Sequence, residues 1–468
     1  MQTNPSVQKN KGELLLGLLV FTLIISVMNA TMFNIVLPSI SKQFQISSSQ
    51  ASWIITGYMI VYAIGSVTYG KLTDRYSLKN LLTFGLLLFA IGSVVGLVAG
   101  EYWMVIVGRI VQAAGASVIP AISMIVPIRY FTPERRGRAL GTVAIGFSLG
   151  LAIGPIIAGV VSSTWNWRVL FVISLLSLLT LPMYRKYLND EKGVARKMDY
   201  IGGVLLAGTI AILLLALTRG SVWLALGGAF TFIFFILRIR YTPNPFINPA
   251  IFRNKPFSLG LIITFVMIGI GFAFPFITPQ LLSSVNHLSP VFIGIVMLPS
   301  SLMAALLGRQ GGKLADEKGD RFLVFTAAAL LVIGCISLSS VVGMSPVFIA
   351  IFLIFGTLGQ SFMQIAMSNT VSRTLSKENI GVGMGLFSMV TFIATATSTA
   401  VIGKILDLGT STIHLNPIPQ NSTTIIYSNI FLILPILIVV VAALYYAKFG
   451  RTDKLAKDEK TNSEPVTS

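Results

Sequence analysis

Arg109 and Gln112 stand three residues apart in a mainly apolar run. An unpaired guanidinium is costly inside a bilayer, so a charge in such a run marks a functional position by default. Residues at this spacing share a helix face. The chemistry on offer is a fixed cation beside a neutral amide, suited to holding a polar solute. A structural charge satisfied by carbonyls and polar side chains is the plainer alternative. Other apolar runs carry polar stripes at helical spacing: Thr22, Ser26 and Asn29; Tyr58, Tyr62 and Ser66; Thr357, Gln360 and Gln364; Ser388, Thr391, Thr395 and Ser398. Uncharged polar groups are costly against lipid and are expected to point inward. For any single Ser or Thr, a hydrogen bond between helices is the simpler reading. Asn29, Gln360 and Gln364 are larger and suit a wet path, with Tyr58, Tyr62, Arg109 and Gln112. Phe265, Phe272 and Phe276 either line an apolar pocket or pack.

Bond-making chemistry has little support. The lone cysteine, Cys335, can form no disulfide within the chain and no thiolate metal site, and His287 and His414 fall in expected loops. No metal and no cofactor is expected. Gly308-Arg309-Gln310-Gly311-Gly312-Lys313-Leu314 lacks the Ser/Thr and the glycine spacing of a phosphate loop. The chain is therefore not expected to be an enzyme or to be driven by ATP. All sixteen Asp and Glu fall in loops, tails or helix ends. Asn29 cannot exchange a proton near neutral pH.

The elements that hold these residues are membrane spans. Of 468 residues, 54% are hydrophobic and 11% charged, against roughly 25% charged in soluble domains. The mean hydropathy is +0.83. Apolar stretches of about twenty residues recur along the chain, at 14–37, 51–70, 81–99, 102–126, 139–162, 169–184, 200–218, 221–239, 257–281, 289–308, 322–342, 346–369, 380–403 and 427–447. Helix is the only form in which a lone segment satisfies its backbone in lipid, so an all-α membrane protein with fourteen spans is expected. The first run is too long for a signal-peptide core and reads as a retained helix.

A net charge of +18 is of the kind that suits nucleic acid, but Lys and Arg alternate by loop. Lys71, Arg75 and Lys79, then Arg129, Arg135, Arg136 and Arg138, then Arg185, Lys186 and Lys192 fall on one side; the opposite side holds Lys42, Arg168, Arg219 and Lys404. The positive-inside rule then places both termini in the cytoplasm. No nucleic-acid partner is expected. Residues 451–468 read as a disordered tail.

Gly70-Lys71-Leu72-Thr73-Asp74 recurs as Gly312-Lys313-Leu314-Ala315-Asp316, eight helices later. Both copies are expected in cytoplasmic loops, the glycine giving a tight turn. Asp74 can sit at a helix N-terminus, and Arg75 can pair with carboxylates or helix C-termini. The offset implies two six-helix halves, 1–199 and 241–450, around an inserted pair at 200–240. On the fifth helix Gly146, Gly150 and Gly154 step by four before Pro155, making a flat groove beside a kink site. They are read as a pliable seam between halves.

Gly70-x-Leu72-x-Asp74-Arg75-x-x-x-Lys79 resembles the loop signature of the major facilitator superfamily. Arg109 to Gly115 resembles its buried-arginine motif, and Pro133 to Ala139 its loop between helices 4 and 5. The glycines before and after Pro155 resemble its antiporter motif. Residues 10–450 look like the fourteen-helix drug:proton antiporter branch, nearest the tetracycline exporters of Gram-positive bacteria. The resemblance implies a major-facilitator fold and efflux of amphipathic small molecules across a bacterial cytoplasmic membrane. It also implies gating through Gly70, Asp74, Arg75, Gly150, Gly154, Pro155 and Asp316. The implied partners are a small-molecule substrate, membrane lipids and coupling protons, and the protein is expected to be a monomer. The branch's helix 1 acid is absent at Met28-Asn29-Ala30-Thr31, and the helix 5 acid of the tetracycline exporters falls at Leu151. Neither Asn29 nor Leu151 can carry a coupling proton. Export or flipping of an endogenous lipid, peptide or metabolite is the alternative.

Overall fold

A computed structural model describes residues 5–73, 75–131, 133–188, 199–376, 380–409, 413–418 and 422–449. Among the described residues, fourteen helices are long and apolar enough to cross a membrane, and there is no strand. In chain order they are α1 (Pro5–Phe44), α2 (Ser48–Leu72), α3 (Leu78–Leu97), α4 (Tyr102–Ala116, continued as Val118–Tyr130), α5 (Pro133–Thr164), α6 (Trp167–Tyr187), α7 (Tyr200–Arg219), α8 (Val222–Tyr241), α9 (Lys255–Ser284), α10 (Pro290–Lys318), α11 (Asp320–Val341), α12 (Pro346–Arg373), α13 (Ile380–Leu406) and α14 (Ser422–Phe449).

Three local features differ from the expectation. α4 is broken at Ser117, and α6 alternates α-helix with 3-10 turns at Trp167–Val169 and Leu176–Thr180. Pro133 to Arg138, expected as a loop, forms the start of α5. Proline suits a first helical turn because its missing N–H has no partner there in any case. The second Gly-Lys-Leu-x-Asp copy is helical to Lys318. Gly70 and Gly312 both lie inside helices, and the turn falls on Gly319, whose φ of +87° needs glycine.

The chain divides into two compact units. One holds the described residues of Met1–Pro249, Pro275–Leu298 and Thr395–Leu408; the other holds those of Ala250–Phe274, Pro299–Ala394 and Gly409–Ser468. In the first unit α1 packs on α5, α3 on α4, and α7 on α8, with α2 against α4 and α7. Apolar residues do not drive helix association in lipid, so close approach relies on small residues. A Cβ on Gly108 would lie 3.0 Å from the Gly92 carbonyl, and Gly115 meets Gly85 and Phe89. One end of this unit is filled by Leu15, Leu19, Leu82, Leu86, Ile119 and Tyr184.

In the second unit α11 packs on α12 and α14. A Cβ on Gly334 would lie 2.7 Å from the Gly356 nitrogen. Ser339 and Ser428 share a 2.7 Å hydrogen bond, and Asn416 donates to Ser339 at 3.0 Å.

Candidate functional site

α1, α2 and α4 bring Asn29, Tyr58, Tyr62, Arg109 and Gln112 together. The Arg109 side chain is fully buried. Its Nη1 donates to the Asn29 Oδ1 at 2.5 Å, to the Gln112 Oε1 at 3.1 Å and to the Asn29 carbonyl at 3.4 Å. Its Nε donates to the Ile54 carbonyl at 3.4 Å. The guanidinium carbon lies 4.2 Å from the Phe33 ring centre and 3.9 Å from that of Tyr58. Cation–π contacts are worth roughly 2 kcal/mol when desolvated, and only a planar guanidinium both stacks and forks in this way.

A ring of neutral groups holds the acceptors in place. The Gln112 amide donates to Ser93 at 2.7 Å and to Ser174 at 3.4 Å, and the Asn29 amide donates to Ser174. Tyr62 stacks on Tyr58 with centroids 5.5 Å apart and lies 3.4 Å from the Ser26 hydroxyl. Thr22, one turn further along α1, meets Thr180 and Tyr184. Among the described residues, no carboxylate joins the hydrogen bonds to Arg109. Among the described residues, the buried Arg109 Nη2 and Tyr58 hydroxyl make no hydrogen bond of ordinary geometry. Leaving such a group unpaired costs about 1–3 kcal/mol.

Ser93 and Ser174 escaped the sequence reading. Each is a small polar residue in an apolar helix, and neither belongs to a long polar stripe.

Gln360 and Gln364 lie on α12 in the second unit, both half-buried. A Cβ on Gly271 would lie 2.7 Å from the Gln360 Cγ, so the absence of a side chain on α9 makes room for that glutamine. Thr357 donates to the Ser300 carbonyl at 3.2 Å. Phe276 is buried, while Phe265 and Phe272 are half-buried. Phe274, which the stripe missed, packs on Gly356 and on Phe431, 5.9 Å between centroids. Ser388 is exposed.

The glycine groove of α5 faces α1. A Cβ on Gly150 would lie 2.8 Å from the Val27 Cβ and 2.9 Å from the Ile24 carbonyl. Gly146 meets Val20, and Gly154 meets Met28 and Thr31. The seam expected between sequence halves is therefore, at these three glycines, a contact within the first half. Contact with a second-half helix begins at Pro155, whose carbonyl a Cβ on Gly294 would approach to 3.1 Å.

At the repeated motif, Gly70 has open space around it, and Arg75 is exposed with its guanidinium 5.3 Å from the Tyr76 ring centre. Asp74 lies outside the described residues, as does the side chain of Asp316. Lys71 donates to the carbonyls of Phe246 at 2.6 Å and Pro245 at 3.0 Å. Asp199 fixes the same 242–249 connection. It accepts the N–H groups of Gly202 at 3.0 Å and Phe246 at 3.2 Å, and it pairs with Arg238 at 3.0 Å. Burial alone would raise its pKa, but these donors together outweigh it and hold the carboxyl below its usual range.

The profile of the Major Facilitator Superfamily matches residues 19–399. The chain belongs to this superfamily. Among superfamily transporters, riboflavin transporter RibZ of Clostridioides difficile (strain 630) is 27% identical over 385 residues, covering 80% of this chain and 84% of that protein. The multidrug resistance protein B homolog of Mycobacterium tuberculosis (strain H37Rv) is 25% identical over 408 residues, covering 83% and 75%. A bacterial homolog of the human lysosomal transporter Spinster, solved inward-facing and unoccupied, superposes with a TM-score of 0.66 at 13% identity, covering 93% of this chain and 96% of that one. At that identity the likeness shows the fold alone. This major-facilitator chain is thus an integral membrane transporter.

Proposed function

We propose that the protein exports amphipathic small molecules across a bacterial cytoplasmic membrane by alternating access, with both termini in the cytoplasm. The observation that carries the reading is the buried Arg109, caged by neutral acceptors and two aromatic faces, with Nη2 unmet. A cation held without a carboxylate partner favours solutes that bring their own acceptor, such as a carbonyl, enolate or carboxylate on a flat apolar frame. The stacked Tyr58 and Tyr62 rings beside it suit the flat frame. Gln360 and Gln364 on α12 are also assigned to the substrate path. The resemblance to a multidrug resistance protein supports drugs as cargo, and tetracycline-like compounds are part of this proposal through the motif resemblance alone.

A second reading is an endogenous metabolite. It draws on the riboflavin transporter among the relatives and on the same fit of a planar heteroaromatic ring to stacked tyrosines and a guanidinium.

The test is expression in an efflux-deficient host with a compound panel that includes riboflavin. Export predicts lower steady-state accumulation of at least one compound. Arg109→Ala is expected to reverse that by more than about tenfold, the equivalent of about 1.4 kcal/mol of lost interaction, with membrane insertion intact. Unchanged transport by Arg109→Ala would remove this residue from the path. Drug-induced proton movement in everted vesicles separates coupled from uncoupled export.

A further inference from the structure

The inserted pair, α7 and α8, supplies no residue to the site above, yet it is tied to α2 at both ends of that helix. Near the start of α2 the Trp53 indole N–H donates to the Thr218 hydroxyl of α7 at 3.3 Å. Near its end the Lys71 ammonium donates to the Phe246 and Pro245 carbonyls and lies 5.3 Å from the Phe246 ring centre. Trp53 and Lys71 are five helical turns apart, so they share one face of α2 and stand about 27 Å apart along its axis. That is close to the roughly 30 Å thickness of a bilayer's hydrocarbon core. Ile60 and Ile64, on the same face between them, are buried.

The far side of each tie is itself fixed. Phe246 is buried, its N–H is held by Asp199, and a Cβ on Gly203 of α7 would lie 3.1 Å from its ring. α7 and α8 are joined by the Thr209 and Thr231 hydroxyls at 3.1 Å. The start of α2 has a further hold: Asp407, just after α13, accepts the Ser47 hydroxyl at 3.0 Å and the Ser49 N–H at 3.1 Å. Lys71 fills an open position of the loop signature, so the signature itself does not call for a lysine there. The second copy of the string has no inserted pair after it, and its Lys313 is exposed.

Tyr58 and Tyr62 leave α2 on the opposite side. Measured around the helix, Tyr58 is offset from Trp53 by about 140° and Tyr62 by about 180°. α2 therefore has the inserted pair behind it and the Arg109 cage in front of it. We propose that the inserted pair is a brace for α2, in which Lys71 and Trp53 are positioning residues that hold Tyr58 against the Arg109 guanidinium. Apolar surface gives a helix in lipid no drive toward its neighbours, so polar ties at its two ends fix its depth and its rotation. Rotation matters here, because Tyr58 faces the guanidinium carbon at 3.9 Å and a turned helix carries the ring away from it. The inference rests on the export reading only in giving the tyrosines a substrate to meet.

The test uses the full-length protein in nanodiscs, with Cys335→Ser. Spin labels on Phe84→Cys and Tyr241→Cys report the Lys71 end, and labels on Trp103→Cys and Trp223→Cys report the Trp53 end, all exposed positions. The parent is expected to give one narrow distance distribution at each end. Lys71→Ala is expected to widen the Phe84–Tyr241 distribution at least about twofold and to leave the other pair unchanged. Lys71→Arg keeps a cation that can reach both carbonyls and is expected to restore the narrow distribution. Trp53→Ala is expected to widen only the Trp103–Trp223 pair, and it carries the same comparison where Lys71→Ala fails to insert. With fluorotyrosine in place of Tyr58, fluorine NMR is expected to show one resonance in the parent and a second on loss of either tie. A substitution that leaves its own end unchanged, one that widens both ends, or a Tyr58 resonance indifferent to both overturns the proposal. No substrate is used, so the brace is judged separately from export. A brace that behaves as expected in a protein exporting no tested compound counts against the export reading alone, and a brace that fails leaves that reading standing.

Discussion

The ring of Tyr58 lies 3.9 Å from the Arg109 guanidinium carbon, while its hydroxyl makes no hydrogen bond of ordinary geometry among the described residues. Ring and hydroxyl therefore have separable duties. Tyr58→Phe keeps the cation–π face and removes an unmet polar group, so thermal stability in detergent is expected to stay within about 0.5 kcal/mol of the parent or rise. Tyr58→Leu removes the face and is expected to cost about 1–2 kcal/mol. If the hydroxyl meets substrate, Tyr58→Phe loses transport without losing stability. Melting curves and accumulation assays on the same preparations decide this.

Asn29 takes the closest hydrogen bond from Arg109. Asn29→Asp puts a carboxylate at that place, making a buried ion pair. The pair attracts strongly and carries a desolvation cost of several kcal/mol per ion. The expected outcome is transport with a steeper dependence on the proton gradient, measured as drug-induced proton release in everted vesicles. An unchanged proton dependence would show that the missing helix 1 acid does not account for the departure from the family pattern.

Gly150 sits against backbone, with Ile24 carbonyl and Val27 both within 2.9 Å of a Cβ placed there. Neither can swing aside as the tip of a flexible side chain can. Gly150→Val is expected to pry α5 from α1 and to destabilise by about 1–3 kcal/mol, with transport falling in parallel. Gly70→Ala, whose Cβ meets open space, is expected to be nearly silent in the same melting assay.

Asp199 carries the pH dependence. Its pKa is lower folded than unfolded, so folding is favoured wherever the unfolded chain would bind more protons. The contribution is complete above the unfolded value of about 3.9 and is lost as pH falls through the lower folded value. Asp199→Asn is expected to lower the melting temperature at neutral pH, with the gap closing on acidification below about pH 4. A gap that stays constant down to that pH would assign the loss to packing.

The spans were legible because lipid permits so few solutions: a chain this apolar, cut by basic turns, has to form helices. Arg109 and Asn29 were legible for the same reason, as polar groups where polarity is costly. The breaks in α4 and α6 were not, since Ser117 and the 3-10 turns of α6 lie in sequence as apolar as their flanks. Ser93 and Ser174 gave no signal because a lone serine satisfies itself on its own helix, as Ser93 also does on the Phe89 carbonyl at 2.7 Å. Asp407 looked like any residue at a helix end, because its partners lie far away in sequence. The repeat revealed where two matching strings occur, but its glycine suggested a turn that Gly319 makes instead.

Lys71 and Lys313 occupy the same place in the two copies of that string, yet their surroundings differ. The first is gripped by the carbonyls of Pro245 and Phe246, while the second is exposed to solvent. The same spelling thus leaves one lysine anchoring a connection and the other free to meet water or lipid headgroups.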